Sequence, residues 1–269
     1  MNIIDKIINK KMMLEPASLM ALYKYASARV IPMRETDQRE AVDHNSITPM
    51  DNSGNIAVID INGILIKGAS VEQEVEYGIC NIDKISQALD YAANDNTTTA
   101  IILNVNSPGG ETTGITTLGR KIKNLSANIP IYIWVDNKCA SAAYWIASQG
   151  SCIGMTEDAD IGCIGVYRIV KDLSKQYENE GVNNQVIYSG VNKMMGHDVG
   201  PLTTEQIELL QADVSEQHKK FKNTILANRE VKPEAMEGLS YEGPQALDLG
   251  LCDIICDSLE DYLTYLNLV

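Results

Sequence analysis

From residue 56 onward the chain alternates short β-branched runs with segments of helical periodicity, and few architectures accept such an order. Ile56–Ile66 (IAVIDINGILI) reads as a buried strand. Asn81–Ala93 (NIDKISQALDYAA) places Ile82, Ile85, Leu89 and Ala92 at helical spacing. Thr99–Val105 (TAIILNV) is a second buried strand; it ends at Ser107-Pro108-Gly109-Gly110, and a helix is predicted from there to about Leu125. Pro130–Val135 (PIYIWV) is a third strand and Ala140–Ser148 a short helix, while Cys163–Val170 and Asn184–Tyr188 read as further strands. A long helix is predicted from about Thr203 to Asn228, with Thr203 and Gln206 in capping-box spacing. A strand-like run, Cys252–Cys256, then precedes a C-terminal helix. Repeated β-α units imply an α/β fold with a mainly parallel sheet, and such sheets gather chemistry at the C-terminal ends of their strands. Residues 1–54 lack this pattern and read as an N-terminal leader or arm with one helix near Glu15–Ala28; residues 55–269 form the main domain.

Charge narrows the partners. With 22 basic and 36 acidic residues the net charge is −14. Phosphate backbones are held by neutralising Lys and Arg, so a nucleic-acid partner is not expected, nor adhesion to anionic membrane. Asp5, Lys6, Lys10 and Lys11 interrupt the first residues where a signal peptide needs an apolar run. No stretch reaches the ~18 uncharged apolar residues of a membrane span. These features predict a soluble, cytoplasmic protein. Cys80, Cys139, Cys152, Cys163, Cys252 and Cys256 form no CxxC pair, and Cys252 and Cys256 lack a second ligand cluster. They read as small buried hydrophobes in a reducing compartment. No metal or organic cofactor is expected.

Two strand-end loops carry unusual chemistry. In Asn104–Gly110 (NVNSPGG) the consecutive glycines leave backbone N–H groups uncovered before a helix. That arrangement serves as a plain turn or as an oxyanion hole in acyl transfer. In Asp136–Trp145 (DNKCASAAYW) Ser141 stands at a helix start among Ala140, Ala142 and Ala143. It either caps the helix or acts as a nucleophile, with small neighbours admitting a substrate backbone and the Ala142 N–H as a second oxyanion donor. A serine nucleophile needs a base. His44 lies in the polar leader, and His218 lies mid-way along an amphipathic helix at a position expected to be solvated. His197 is the remaining candidate for a triad. Lys193 competes with it, followed by Met194, Met195 and Gly196 as an apolar wall; desolvation is what makes a lysine amine a base.

The runs SPGG, ASAAYW, DIGCIGVY and SGVNKMMG occur in that order. In this they resemble the signal peptide peptidase A family of Ser-Lys serine proteases. The ASAAY form and the leader MLEPASLMALYKYA resemble its bacteriophage branch, the protein C-type head (prohead) proteases. The resemblance covers about residue 12 to 257 and implies a crotonase-like (Clp protease-like) fold. It implies Ser141 as nucleophile, Lys193 as general base, and Gly109 and Gly110 as the oxyanion loop with the Ala142 amide. Where the family has a serine that orients the lysine, this chain has Cys163, a weaker hydrogen-bond partner. The resemblance further implies ring-forming homo-oligomers, in some members with Ser and Lys from neighbouring subunits. It implies polypeptide substrates, capsid or scaffold proteins cleaved during head maturation, in the host cytoplasm or the prohead.

Other readings stay open on the sequence. One is a general peptide-degrading protease of the same family. A second is a Clp-type Ser-His-Asp protease, although no histidine lies between Ser141 and His197. A third is a non-catalytic capsid-assembly or scaffolding protein that keeps the fold. Acyl-CoA chemistry would use similar oxyanion loops, but the chain shows no sign of a nucleotide site.

Overall fold

A computed structural model describes residues 10–28, 48–49 and 56–268. Its centre is a six-stranded sheet in the order β13-β10-β8-β6-β3-β2. These strands are β2 (Thr48–Pro49), β3 (Ile56–Asn62), β6 (Ala100–Asn106), β8 (Ile131–Val135), β10 (Cys152–Met155) and β13 (Ile254–Ile255). All neighbours run parallel except β2 on β3. A four-stranded sheet has the order β1-β7-β4-β5, from β1 (Met12–Leu14), β4 (Ile64–Ile66), β5 (Ile79–Asn81) and β7 (Gly109–Glu111). A third sheet, β12-β11-β9, joins β9 (Lys138–Ala140), β11 (Asp160–Gly162) and β12 (Ser240–Glu242). The result is α/β, with a mainly parallel sheet and repeated β-α units, as the sequence pattern requires.

The helices are α1 (Pro16–Ala28), α2 (Val71–Tyr77), α3 (Ile82–Asn94), α4 (Ile115–Leu125), α5 (Ala142–Ala147), α6 (Ser174–Asn179), α7 (Thr204–Leu226), α8 (Gly243–Asp248) and α9 (Leu259–Tyr265). Helix α3 starts at Asn81, whose side chain accepts the Asp83 amide, and buries Ile82, Ile85, Leu89 and Ala92 on one face. Helix α7 starts at a full capping box between Thr203 and Gln206. It buries Leu210, Phe221 and Ile225, and the Phe221 ring stacks on Trp145 of α5 with centroids 4.8 Å apart. Beyond the other face of the sheet Trp134 stacks on Tyr262 of α9 at 5.5 Å. The two ring pairs belong to separate apolar clusters. The Arg229 guanidinium grips Asp253 through both carboxylate oxygens at 2.8 and 3.0 Å, and Asp253 also accepts the Ile153 amide at 2.6 Å, which ties the β13 edge to β10. No helix among the described residues is long and apolar enough to cross a membrane.

Four expectations change. Ile56–Ile66 is two strands in different sheets, broken at Gly63, where φ is positive. Met12–Leu14, placed by the sequence in the leader, is a fully buried strand paired with β7. Cys163–Val170 is not a strand: β11 ends at Gly162, and only Tyr167 makes a bridge, to Met12. Asn184–Tyr188 has no strand partner among the described residues and is exposed. Its composition suits a strand, but a lone strand leaves its backbone donors and acceptors unpaired.

Candidate functional site

The site begins at the end of β9. Parallel pairing sets Ala140 beside Gly162 of β11, and the Ser141 amide donates to the Gly162 carbonyl at 2.7 Å. The chain then turns abruptly into α5. Ser141 takes φ 56 and ψ −115, a left-handed conformation that L-residues with side chains rarely adopt. Every residue of α5 is buried. Ala142 opens the helix against the Gly109 loop, its nitrogen 2.9 Å from the place of a Gly109 Cβ. Ser141 itself is only 1% exposed. Its side chain makes no capping bond to the helix, so the helix-cap reading of this serine does not hold. A serine on a strained strand-to-helix turn, with its hydroxyl uncommitted, has the form of a nucleophile elbow.

The SPGG loop is stitched to the same strand. Ser107 donates its amide to the Lys138 carbonyl at 2.8 Å and accepts from the Ala140 amide at 3.0 Å. Its hydroxyl donates to the Gly63 carbonyl at 2.7 Å and accepts the Gly109 amide at 3.2 Å. Gly109 has φ +95, and a Cβ there would stand 2.3 Å from the Met13 carbonyl oxygen, 2.8 Å from the Ala140 carbonyl oxygen and 2.9 Å from the Ala142 nitrogen. Only glycine therefore lets the loop approach the Ser141 turn so closely. Gly110 is as tight, since its Cβ would meet the Leu65 carbonyl oxygen at 1.9 Å. Gly109 thus lies against the Ala140–Ala142 turn that holds Ser141, and Gly110 follows it against Leu65.

Cys163 follows Gly162 and also has a positive φ, 51. Its amide donates to the Leu239 carbonyl at 2.8 Å. Burial pushes its thiol up to about 11, with Glu15 and Asp160 adding to the rise and Lys138 and Ser240 opposing it. Burial works against the Lys138 ammonium, yet the carboxylates of Glu15 and Asp160, at 2.9 and 3.3 Å, outweigh it and raise Lys138 above the ordinary lysine value.

Ser141 is buried, whereas Lys193 is exposed. It sits in an exposed turn, and no hydrogen bond joins it to Ser141. His197 is exposed and pairs with Asp198 through Nδ1 at 3.2 Å. His44 lies outside the described residues. His218 is a correction: it is half-buried, not solvated. Its Nε2 lies 3.1 Å from the Ile164 carbonyl oxygen and 2.9 Å from that of Met236. Both partners are acceptors, so Nε2 carries the proton. The ring holds the backbone just after Cys163. Ser107 and His218 are the supporting residues that the sequence reading passed over. Ser107 was visible in SPGG, whereas nothing in helical spacing reveals which carbonyls a histidine will reach.

Comparison with known proteins fits this geometry. The chain is 26% identical over 208 residues to the capsid assembly protease C of Escherichia phage lambda, which covers 76% of this chain and 47% of that protein. It is 24% identical over 241 residues to the head-tail preconnector protein GP5 of Enterobacteria phage P21, covering 87% of this chain and 48% of the relative. To Protease 4 of Salmonella typhi it is 26% identical over 223 residues, covering 80% and 35%. The chain therefore spans about half or less of the length of these relatives. The family model described as Peptidase family S49 matches residues 123–264, more than half of the chain and the part that holds Ser141, Cys163 and Lys193. The chain belongs to peptidase family S49.

Proposed function

We propose that the protein is a serine endopeptidase in which Ser141 is the nucleophile and Lys193, from a neighbouring copy of the chain, is the general base. The observation that carries this reading is the buried, positive-φ Ser141 turn lying against Gly109 and Ala142. The amine takes the Ser141 hydroxyl proton as the oxygen attacks a peptide carbonyl. Amides of the Gly109–Gly110 loop and of Ala142 receive the developing oxyanion. The resulting ammonium protonates the leaving amine, and water releases the acyl group.

A neighbouring copy is needed because a lysine amine becomes a base only where water is excluded from it. The segment leading to Lys193 is apolar and uncovered: Ile187 is 97% and Val191 81% exposed, with Val182, Val186 and Tyr188 also exposed. Large apolar side chains left exposed within one segment are what an interaction site presents. Covering it in an oligomer would bury Lys193 and give the strand-like run Asn184–Tyr188 a partner. The two phage relatives favour capsid or scaffold polypeptides as substrates during head maturation, in the host cytoplasm or prohead.

Mixing two inactive variants tests the reading. Ser141→Ala and Lys193→Ala should each fold, oligomerise and lose turnover, and Ser141→Ala should lose fluorophosphonate labelling. Co-assembled, the pair should regain part of the activity, since some sites draw Ser141 from one variant and Lys193 from the other. Turnover retained by either single variant removes that residue from the mechanism. Failure to complement removes the shared site. Co-expression with neighbouring head proteins, wild type against Ser141→Ala, tests the substrates.

A further inference from the structure

Strand β1 runs through a slot bordered on both sides by the walls of the Ser141 site. On one side it is antiparallel to β7, with Met12 opposite Glu111, Met13 opposite Gly110 and Leu14 opposite Gly109. On the other side Met12 exchanges both backbone hydrogen bonds with Tyr167, at 2.8 and 3.0 Å, just beyond the Cys163 turn. The Thr112 amide donates to the Lys11 carbonyl, and the Glu15 amide to the Pro108 carbonyl. Antiparallel pairs alternate in type, so Met13 and Gly110, midway between, form a hydrogen-bonded pair. The Met13 carbonyl thereby occupies the Gly110 N–H. The same oxygen and the Ala142 nitrogen lie 2.3 and 2.9 Å from one point, the place of a Gly109 Cβ. A peptide carbonyl of the chain's own N-terminal segment thus stands among the amides beside Ser141.

The strand is held firmly. Met12, Met13 and Leu14 are buried. Ion pairs fasten both ends: Lys10 to Glu111 at 2.5 Å, Lys11 to Asp213 at 2.9 Å and Glu15 to Lys138 at 2.9 Å.

We propose that β1 is a resident occupant of the extended-peptide slot beside Ser141 and holds the enzyme closed to polypeptides until it is displaced. This rests on the serine endopeptidase reading. The occupant also specifies its competitor: an extended segment with large apolar side chains, basic on its N-terminal side and acidic on its C-terminal side.

Full-length variants that shift β1 in opposite directions test the inference. Lys11→Glu with Glu15→Lys sets like charges against Asp213 and Lys138; Met13→Pro removes a ladder donor by a different route. Met12→Cys with Tyr167→Cys locks the strand by a disulfide, because hydrogen-bonded pairs have Cα atoms about 5.5 Å apart. The readouts are the rate of fluorophosphonate labelling at Ser141 and the cleavage of an added peptide. Loosened variants should gain about fivefold or more in both, because a larger share of molecules is then competent to bind. The locked variant should be slow until a reductant is added. Equal rates in all forms, with Ser141 labelled, overturn the inference and leave the endopeptidase reading standing. Absence of labelling in every form overturns both.

Discussion

The amide of Ser141 donates to the carbonyl of Gly162 at 2.7 Å, and this bond sets Ser141 and Cys163 at the ends of adjacent parallel strands, both with positive φ. Each such conformation stores about 1–3 kcal/mol, which the buried α5 helix and the Gly109 loop hold in place.

Ser141→Gly should relieve that strain where Ser141→Ala keeps it. Both should lose labelling, but the glycine variant should be more stable than the alanine variant by about 1 kcal/mol, after its larger loss of backbone entropy. Chemical denaturation of the two decides it. A glycine variant that is the weaker of the pair would falsify the claim of strain.

Gly109→Ala sets a Cβ against the Met13 oxygen and the Ala142 nitrogen. The Ser141 turn should shift and labelling should fall at least tenfold, about 1.4 kcal/mol of barrier. Gly110→Ala meets the rigid Leu65 backbone at 1.9 Å and should cost about 3 kcal/mol or more of stability. Thermal melts and labelling rates on both variants check the order.

Cys163→Ser restores a stronger hydrogen-bonding group at the neighbour of Ser141. Under the endopeptidase reading, kcat should rise by between about two- and tenfold, the worth of one net hydrogen bond. No change in kcat, with the fold intact, would mean that this side chain does not orient the base.

His218→Ala leaves the Ile164 and Met236 carbonyls without their shared donor. The expected loss is about 1–3 kcal/mol of stability, together with slower labelling, because Ile164 follows the Cys163 turn. His218→Gln, which keeps a donor, should recover part of both. Equal behaviour of the two variants would show that the ring acts only by filling space.

Buried thiols set an alkaline limit. Burial pushes Cys80 and Cys252 up to about 12 and Cys163 up to about 11 from 9.0. Between those values the folded chain binds more protons than the unfolded one, so stability falls as pH rises. The loss begins near the unfolded thiol value of 9.0 and levels off above the folded value. Each such thiol steepens the decline by about 1.4 kcal/mol per pH unit. Urea unfolding between pH 8 and 11 should therefore give a shallower decline for Cys80→Ala than for the parent.

Local signals carried most of the fold. The β-branched runs became β3, β6 and β8, and the capping box at Thr203 and Gln206 marked the start of α7. Two kinds of feature were invisible. Met12–Leu14 is too short to show periodicity, and it is a strand only because Gly109–Glu111 and Tyr167 flank it. Asn184–Tyr188 has the composition of a strand, but composition does not say whether a neighbour exists to pair with it. At the site, the sharp turns at Ser141 and Gly109–Gly110 were legible because such turns restrict residue type, while the roles proposed for them came from the family resemblance. The hydroxyl that Lys193 reaches was not legible, since under the proposed shared site it depends on how copies of the chain meet.

The stacking of Trp145 on Phe221 has a practical sequel. The chain has only two tryptophans. The Trp145 amide donates to the Ser141 carbonyl at 2.9 Å, while Trp134 packs on Tyr262 in a different cluster. Replacing Trp134 by phenylalanine would leave the intrinsic emission of the molecule to a single indole riding on the helix that begins at Ser141. An acyl group arriving at Ser141, or a strand leaving its groove, would then be visible in the colour of that light, with no dye attached.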